Sequence, residues 1–130
     1  FTARRRTENA PVVAIAAGVG IAPVKSLLDT LGPADDVTLI YRVPDLNPES
    51  IALRAEIERQ VADNRWHMIY VPGDPDACTM TADTLVHLAP RAVTADIFVC
   101  GPQGFTDTVL AAARDLGIAP ARMHHELFTF

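Results

Sequence analysis

A chain of 130 residues, 49% of them hydrophobic and 21% charged, suffices for one domain that buries about two thirds of its unfolded surface. Eleven basic against 16 acidic side chains leave a formal net charge of −5, which argues against a nucleic-acid partner, since that requires a basic face. No apolar run approaches the ~20 residues that span a bilayer, no signal peptide is visible, and two cysteines, Cys78 and Cys100, imply no disulfide framework, so a reducing, cytoplasmic setting is the default.

The chain begins at Phe1-Thr2-Ala3 without an initiating methionine, and its first strand starts only near Pro11. Residues 1–9 are therefore expected to be a linker from a missing upstream part, and residues 10–130 the domain. Within the linker, Arg4-Arg5-Arg6 reads as a solvated stretch, with a phosphate or membrane contact as the alternative. The first strand runs from about Val12 to Ala16, and its continuous apolar character means that both faces are covered. Gly18-Val19-Gly20 turns the chain into a helix from about Ala22 to Leu31, stopped by Gly32-Pro33. A second strand, Asp36 to Arg42, precedes the loop Val43 to Pro48. Leu53, Ile57 and Val61 then mark one apolar face of a helix expected over Glu49 to Ala62. Trp66 to Val71 is the third strand, closed by Pro72-Gly73-Asp74-Pro75, and Thr81 or Thr79 caps a short helix through about Leu88. A fourth strand, Asp96 to Cys100, stops at Gly101-Pro102; a helix from about Gly104 to Leu116 and a strand from about Arg122 to Phe128 complete the chain.

Strands alternating with helices specify an α/β fold, a Rossmann-like open parallel sheet of five strands with helices on both faces. The expected strand order is 3-2-1-4-5, and ligands of such sheets bind at the carboxyl ends of the strands beside the switch point. Gly18-Val19-Gly20 and Cys100-Gly101-Pro102 meet there. The glycine turn can build an anion site, because a helix N-terminus presents unpaired N–H groups and partial positive charge. Gly18 and Gly20 admit dihedrals closed to other residues and let a phosphate approach the backbone. Gly18-x-Gly20-x-x-Pro23 departs from the usual fingerprint, with proline in the third glycine's place, where the first helical turn tolerates it. The plainer reading is a glycine turn that serves only the chain reversal. Cys100, in turn, reads either as a small apolar filler or as a group at the mouth of the cleft.

Ala17-Gly18-Val19-Gly20-Ile21-Ala22-Pro23, Cys100-Gly101-Pro102 and a terminal Glu126-Leu127-Phe128 together resemble the NAD(P)H-binding domain of the ferredoxin–NADP reductase superfamily. Tyr41-Arg42 and His124-His125-Glu126-Leu127-Phe128 bring it nearest to the membrane flavocytochromes, the ferric reductases and NADPH oxidases. The resemblance implies an NAD(P)H:flavin oxidoreductase in which NADPH passes hydride to FAD, the FAD being held mainly by an upstream flavin-binding domain of the same chain. Electrons then go singly to haem, ferric iron or oxygen, in the cytoplasm or in the cytoplasmic domain of a membrane protein. Residue by residue, it implies that Gly18 and Gly20 lie against the pyrophosphate, that Val19 and Ile21 also bind the cofactor, and that Pro23 shapes the helix start. Cys100 lies near the hydride-bearing carbon, with Gly101 and Pro102 on the nucleotide. Glu126 helps arrange nicotinamide and flavin, and Phe128 covers the flavin ring, a place that Phe130 could also take. Ala22 stands where many relatives have threonine, which removes one hydroxyl contact.

Tyr41-Arg42 ends the second strand, where the usual NAD fingerprint has an acid for the ribose hydroxyls. An arginine there suits a 2′-phosphate and favours NADPH, whereas Asp45 could instead serve the ribose of NADH. His124-His125 is not read as a metal pair, because neighbours on a strand face opposite ways. Thr81, Asp83 and His87 assemble no nucleophile. Two other readings stand beside the flavocytochrome one: a soluble flavin or ferredoxin-type reductase using NADH, and a non-enzymatic nucleotide-binding module.

Overall fold

A computed structural model describes residues 9–73 and 80–127. Its sheet has five parallel strands in the order β3-β2-β1-β4-β5, as the alternation of strands and helices predicts. They are β1 (Val12–Ala17), β2 (Val37–Val43), β3 (His67–Pro72), β4 (Asp96–Gly101) and β5 (Met123–Leu127). The helices are α1 (Ile21–Leu28), α2 (Arg54–Asn64), α3 (Ala82–Leu88) and α4 (Gln103–Asp115).

Every residue of β1, β2 and β4 is buried, the mark of strands covered on both faces. Alternation then sorts the side chains into two cores. Ala14, Ala16, Leu39, Tyr41, Phe98 and Cys100 pack under Ile21, Val24, Leu27 and Leu28 of α1 and Ile57 of α2. On the opposite face, Val13, Ile15, Ile40, Ile97 and Val99 meet Leu85 of α3 and Val109, Ala112 and Ala113 of α4. Thr81 caps α3, its hydroxyl accepting from the Thr84 N–H at 3.2 Å; Thr79 lies outside the described residues, as do Arg4 to Arg6 and Cys78.

Two elements differ from the sequence reading. The first helix ends at Leu28, with a looser turn through residues 29–31 that still packs Leu31 on the core. The stretch read as a helix from Glu49 breaks in two. Asn47 caps a 3₁₀ turn over Pro48–Ser50, Ile51 enters the core, and α2 starts only at Arg54. Leu53 takes φ 58° at the break and remains 38% exposed, so the buried residue ahead of Ile57 is Ile51. Fourfold spacing alone does not reveal where a capped turn resets the helical phase.

Candidate functional site

The glycine turn after β1 and the loop after β4 meet at the carboxyl end of the sheet. Gly18 has φ 55°, a left-handed conformation that glycine takes without penalty. A Cβ at Gly18 would meet nothing within 4 Å, so open space lies before the turn. Gly20 differs from the expectation: its φ is −61°, open to any residue, and its role is contact. A Cβ there would stand 2.0 Å from the Cys100 carbonyl oxygen. Gly101 is less tightly placed: such a Cβ would meet two side-chain atoms, the Ala17 Cβ at 3.0 Å and the Phe105 Cδ2 at 3.1 Å. The two loops are thus held together backbone to backbone. No side chain caps α1; its first amide, that of Ile21, donates back to the Gly18 and Val19 carbonyls of the 3₁₀ turn before it. Pro23 is the third residue of α1, where no intrahelical donor is lost.

Between the loops lies a cleft of about 240 Å³, lined among others by Gly18, Val19, Arg42, Pro44, Gly73 and Pro102. Its walls are the ends of β1, β2, β3 and β4. Arg42 is 5% exposed overall, and its Nη2 donates to the Gly73 carbonyl at 3.3 Å. Tyr41, the other half of the expected pair, belongs to the core instead. It is 1% exposed, its hydroxyl donates to the Ala52 carbonyl at 2.9 Å, and its ring tilts against Tyr70 at 5.9 Å. Adjacent strand residues face opposite sides, so only Arg42 lines the cleft. Ile21 is likewise core, at 1% exposure. Both oxygens of Asp45 serve its own loop, Oδ1 accepting from the Asn47 N–H at 2.8 Å and Oδ2 from the Ser50 hydroxyl at 3.3 Å.

Cys100 is wholly buried in the core beneath the cleft. It stands in register with Glu126 of β5, and burial, with the Glu126 carboxylate second, pushes its thiol up to about 11. The thiol is therefore neutral at physiological pH and is no nucleophile. Since the folded value exceeds the ordinary 9.0, this contribution to stability is fully present below pH 9 and lost as pH rises through about 11. We expect iodoacetamide at pH 8 to leave Cys100 unlabelled in the native protein and to label it in urea, read by peptide mass mapping. Rapid labelling of the native protein would contradict this burial.

His124 turns inward, with Nε2 3.2 Å from Oδ1 of the fully buried Asp96 and its ring stacked on Phe98 at 4.5 Å; His125 is exposed. Among the described residues, no group of three or more His, Cys, Asp or Glu is placed to hold a metal ion, and no helix is long and apolar enough to cross a membrane. Phe128 and Phe130 lie outside the described residues. The sequence reading treated Gly73 as a strand stop and gave it no place in the site. Its signal was position: a Pro-Gly turn at the same sheet end as the two glycine loops.

An open glycine turn leading into a helix and an arginine near the end of β2 fit a phosphorylated nucleotide. Comparison with known proteins agrees with this geometry. Residues 14–110 match the oxidoreductase NAD-binding domain family. The chain is 30% identical over 122 residues to a flavohemoprotein of Vibrio cholerae, covering 91% of this chain and 30% of that protein. It is 26% identical over 134 residues to reductase component 2 of a Comamonas terephthalate 1,2-dioxygenase, covering 91% and 38%. Among solved structures, the flavohem-like FAD/NAD-binding domain of nitric oxide dioxygenase from Vibrio cholerae superposes with a TM-score of 0.78 at 27% identity, over 94% of this chain and 52% of that one. The chain thus spans about a third of the length of the curated relatives it matches. Fold, cleft and these relatives together make the chain a member of the oxidoreductase NAD-binding domain family, within the ferredoxin–NADP reductase superfamily.

Proposed function

We propose that this chain is the nicotinamide-nucleotide half of an NAD(P)H:flavin oxidoreductase and prefers NADPH. The observation that carries the preference is Arg42 in the cleft wall at the end of β2, while Asp45 is engaged in its own loop. The amides of the Gly18–Gly20 turn bind the pyrophosphate, and the Arg42 guanidinium binds the 2′-phosphate through charge-assisted hydrogen bonds. Gly101 and Pro102 bound the nucleotide on the β4 side. The cleft is smaller than the ~300–1,000 Å³ typical of pockets that enclose a whole ligand, so it takes part of the dinucleotide, and the rest lies along the strand ends above Cys100 and beside Glu126. Bound NADPH supplies the hydride that reduces FAD, and the protein contributes orientation and electrostatics. Cys100 offers a neutral, apolar floor, and Glu126 a carboxylate beside it.

FAD is held mainly by a flavin-binding domain upstream of residue 10, with residues 1–9 as the linker and Phe128 as the aromatic over the flavin ring. The relatives named flavohemoproteins favour haem as the electron acceptor over ferric iron or oxygen. Tyr41-Arg42 and His124 to Phe128 are what supports the finer assignment to the ferric reductase and NADPH oxidase branch. A non-enzymatic module is not favoured, because the matching family is one of oxidoreductases.

Calorimetric titration with 2′,5′-ADP and with 5′-AMP tests the preference. A charged hydrogen bond of about 1.5–3 kcal/mol predicts about ten- to a hundredfold tighter binding of 2′,5′-ADP, and Arg42→Ala should bring the ratio near one. Equal binding to the unaltered protein would move the coenzyme to NADH, and binding of neither would count against the nucleotide site.

A further inference from the structure

We infer that Gly73 is a positioning residue for coenzyme selection, its carbonyl fixing the plane in which Arg42 presents its guanidinium to the cleft. The inference rests on the reading that Arg42 meets the 2′-phosphate, and it names the group that prepares Arg42 for that contact. Gly73 follows the last residue of β3 and touches the end of β2 through both of its backbone groups. Its N–H is shared between the carbonyls of Val43 at 3.0 Å and Pro44 at 3.1 Å, and its own carbonyl accepts from Arg42 Nη2 at 3.3 Å. The first pair of bonds fixes where residue 73 stands against β2. The other turns that placement into an orientation for Arg42, since a guanidinium is a rigid planar fork. A bond on one nitrogen therefore sets the direction of every other N–H.

The geometry requires glycine. Gly73 has φ 109°, beyond the left-handed well that asparagine or aspartate visits and far from any conformation alanine favours. A side chain there forces the peptide to turn, which moves the carbonyl from Arg42. Gly73 and Arg42 both line the cleft, so the adjustment happens at the ligand's edge and not in the core. Loss of this bond loosens the guanidinium before the ligand arrives, which weakens its contribution by about three- to tenfold.

Gly73→Ala, Arg42→Ala and the double variant should be titrated with 2′,5′-ADP and 5′-AMP beside the unaltered protein. Gly73→Ala is expected to reduce the preference for 2′,5′-ADP by about three- to tenfold with 5′-AMP affinity retained, and to change nothing further in the Arg42→Ala background. Equal weakening of both ligands, or the same loss in the Arg42→Ala background, would show that Gly73 acts on the cleft at large and overturn the inference. If the unaltered protein shows no preference for 2′,5′-ADP, the NADPH reading fails by itself. The coupling is then read on 5′-AMP, where a Gly73→Ala effect that depends on Arg42 supports the positioning role and an independent one overturns it. Should Gly73→Ala not fold, Arg42→Lys serves instead. It keeps the charge but has one nitrogen for both carbonyl and ligand, so full retention of the preference would sink the inference and its loss would support it.

Discussion

Gly20→Ala is expected to cost this protein its nucleotide site and about 3 kcal/mol or more of stability, at the upper end of what overpacking does. The cause is not conformational, since φ at Gly20 is −61° and alanine accepts it. It is the approach of backbone to backbone: the new Cβ would stand 2.0 Å from the Cys100 oxygen and 2.6 Å from its carbonyl carbon. Neither side yields easily. Cys100 belongs to β4, paired to β1 on one side and β5 on the other, and Gly20 opens α1, whose Ile21 and Val24 are fixed in the core. The loops must separate, and with them Val19 and Pro102, which line the cleft. Adenylate binding should fall by about tenfold or more, since misplacement by an ångström suffices for large losses. Gly104→Ala is the control. A Cβ there meets nothing within 4 Å on helical backbone, so helix propensity makes it neutral to slightly stabilising. Comparable melting of Gly20→Ala and the unaltered protein would disprove the contact.

Phe98→Ala is expected to destabilise the fold by about 3–5 kcal/mol. The reason lies in the composition of β1, which offers Val12, Ala14 and Ala16 to the core beneath α1, so that only a methyl group stands beside Phe98. Volume on that face has to come from the neighbouring strands, Leu39 and Tyr41 from β2 and Phe98 from β4. Phe98 stands in register between Ala14 and His124, is 1% exposed, and stacks on the His124 ring at 4.5 Å. Its removal opens a cavity beside a methyl group that cannot fill it and takes away the surface on which His124 rests. Urea denaturation measures the loss. A change below about 1 kcal/mol would mean that the strands close over the gap, contrary to the rigidity of packed interiors.

The order of the sheet and the meeting of the two glycine-bearing loops at its carboxyl end were legible in the sequence. A continuous apolar run at 12–16 and largely apolar ones at 36–42 and 96–100, alternating with helices, point to a parallel sheet covered on both faces, and right-handed crossovers leave few orders for five such strands. The two glycine-bearing loops follow β1 and β4, so any such sheet brings them together. Composition also exposed Arg42 as the unusual residue at the end of β2. What tertiary structure decided was the part each residue plays there. Tyr41 and Arg42 are equivalent in sequence, yet the pleat sends the Tyr41 ring into the core and leaves Arg42 in the cleft wall. Leu53 has the right spacing for the face of α2, yet a capped turn shifts the phase and Ile51 is buried in its stead. Gly18 and Gly20 look alike in the motif, but one supplies a left-handed turn and the other a backbone contact across the sheet. Gly73 reads as punctuation until β3 is laid beside β2. Local sequence determines period and turn chemistry, because those depend on a few neighbouring residues. Which face a side chain takes, and what stands 3 Å from a backbone atom, depend on strands distant in the chain, and only the assembled sheet brings them into contact.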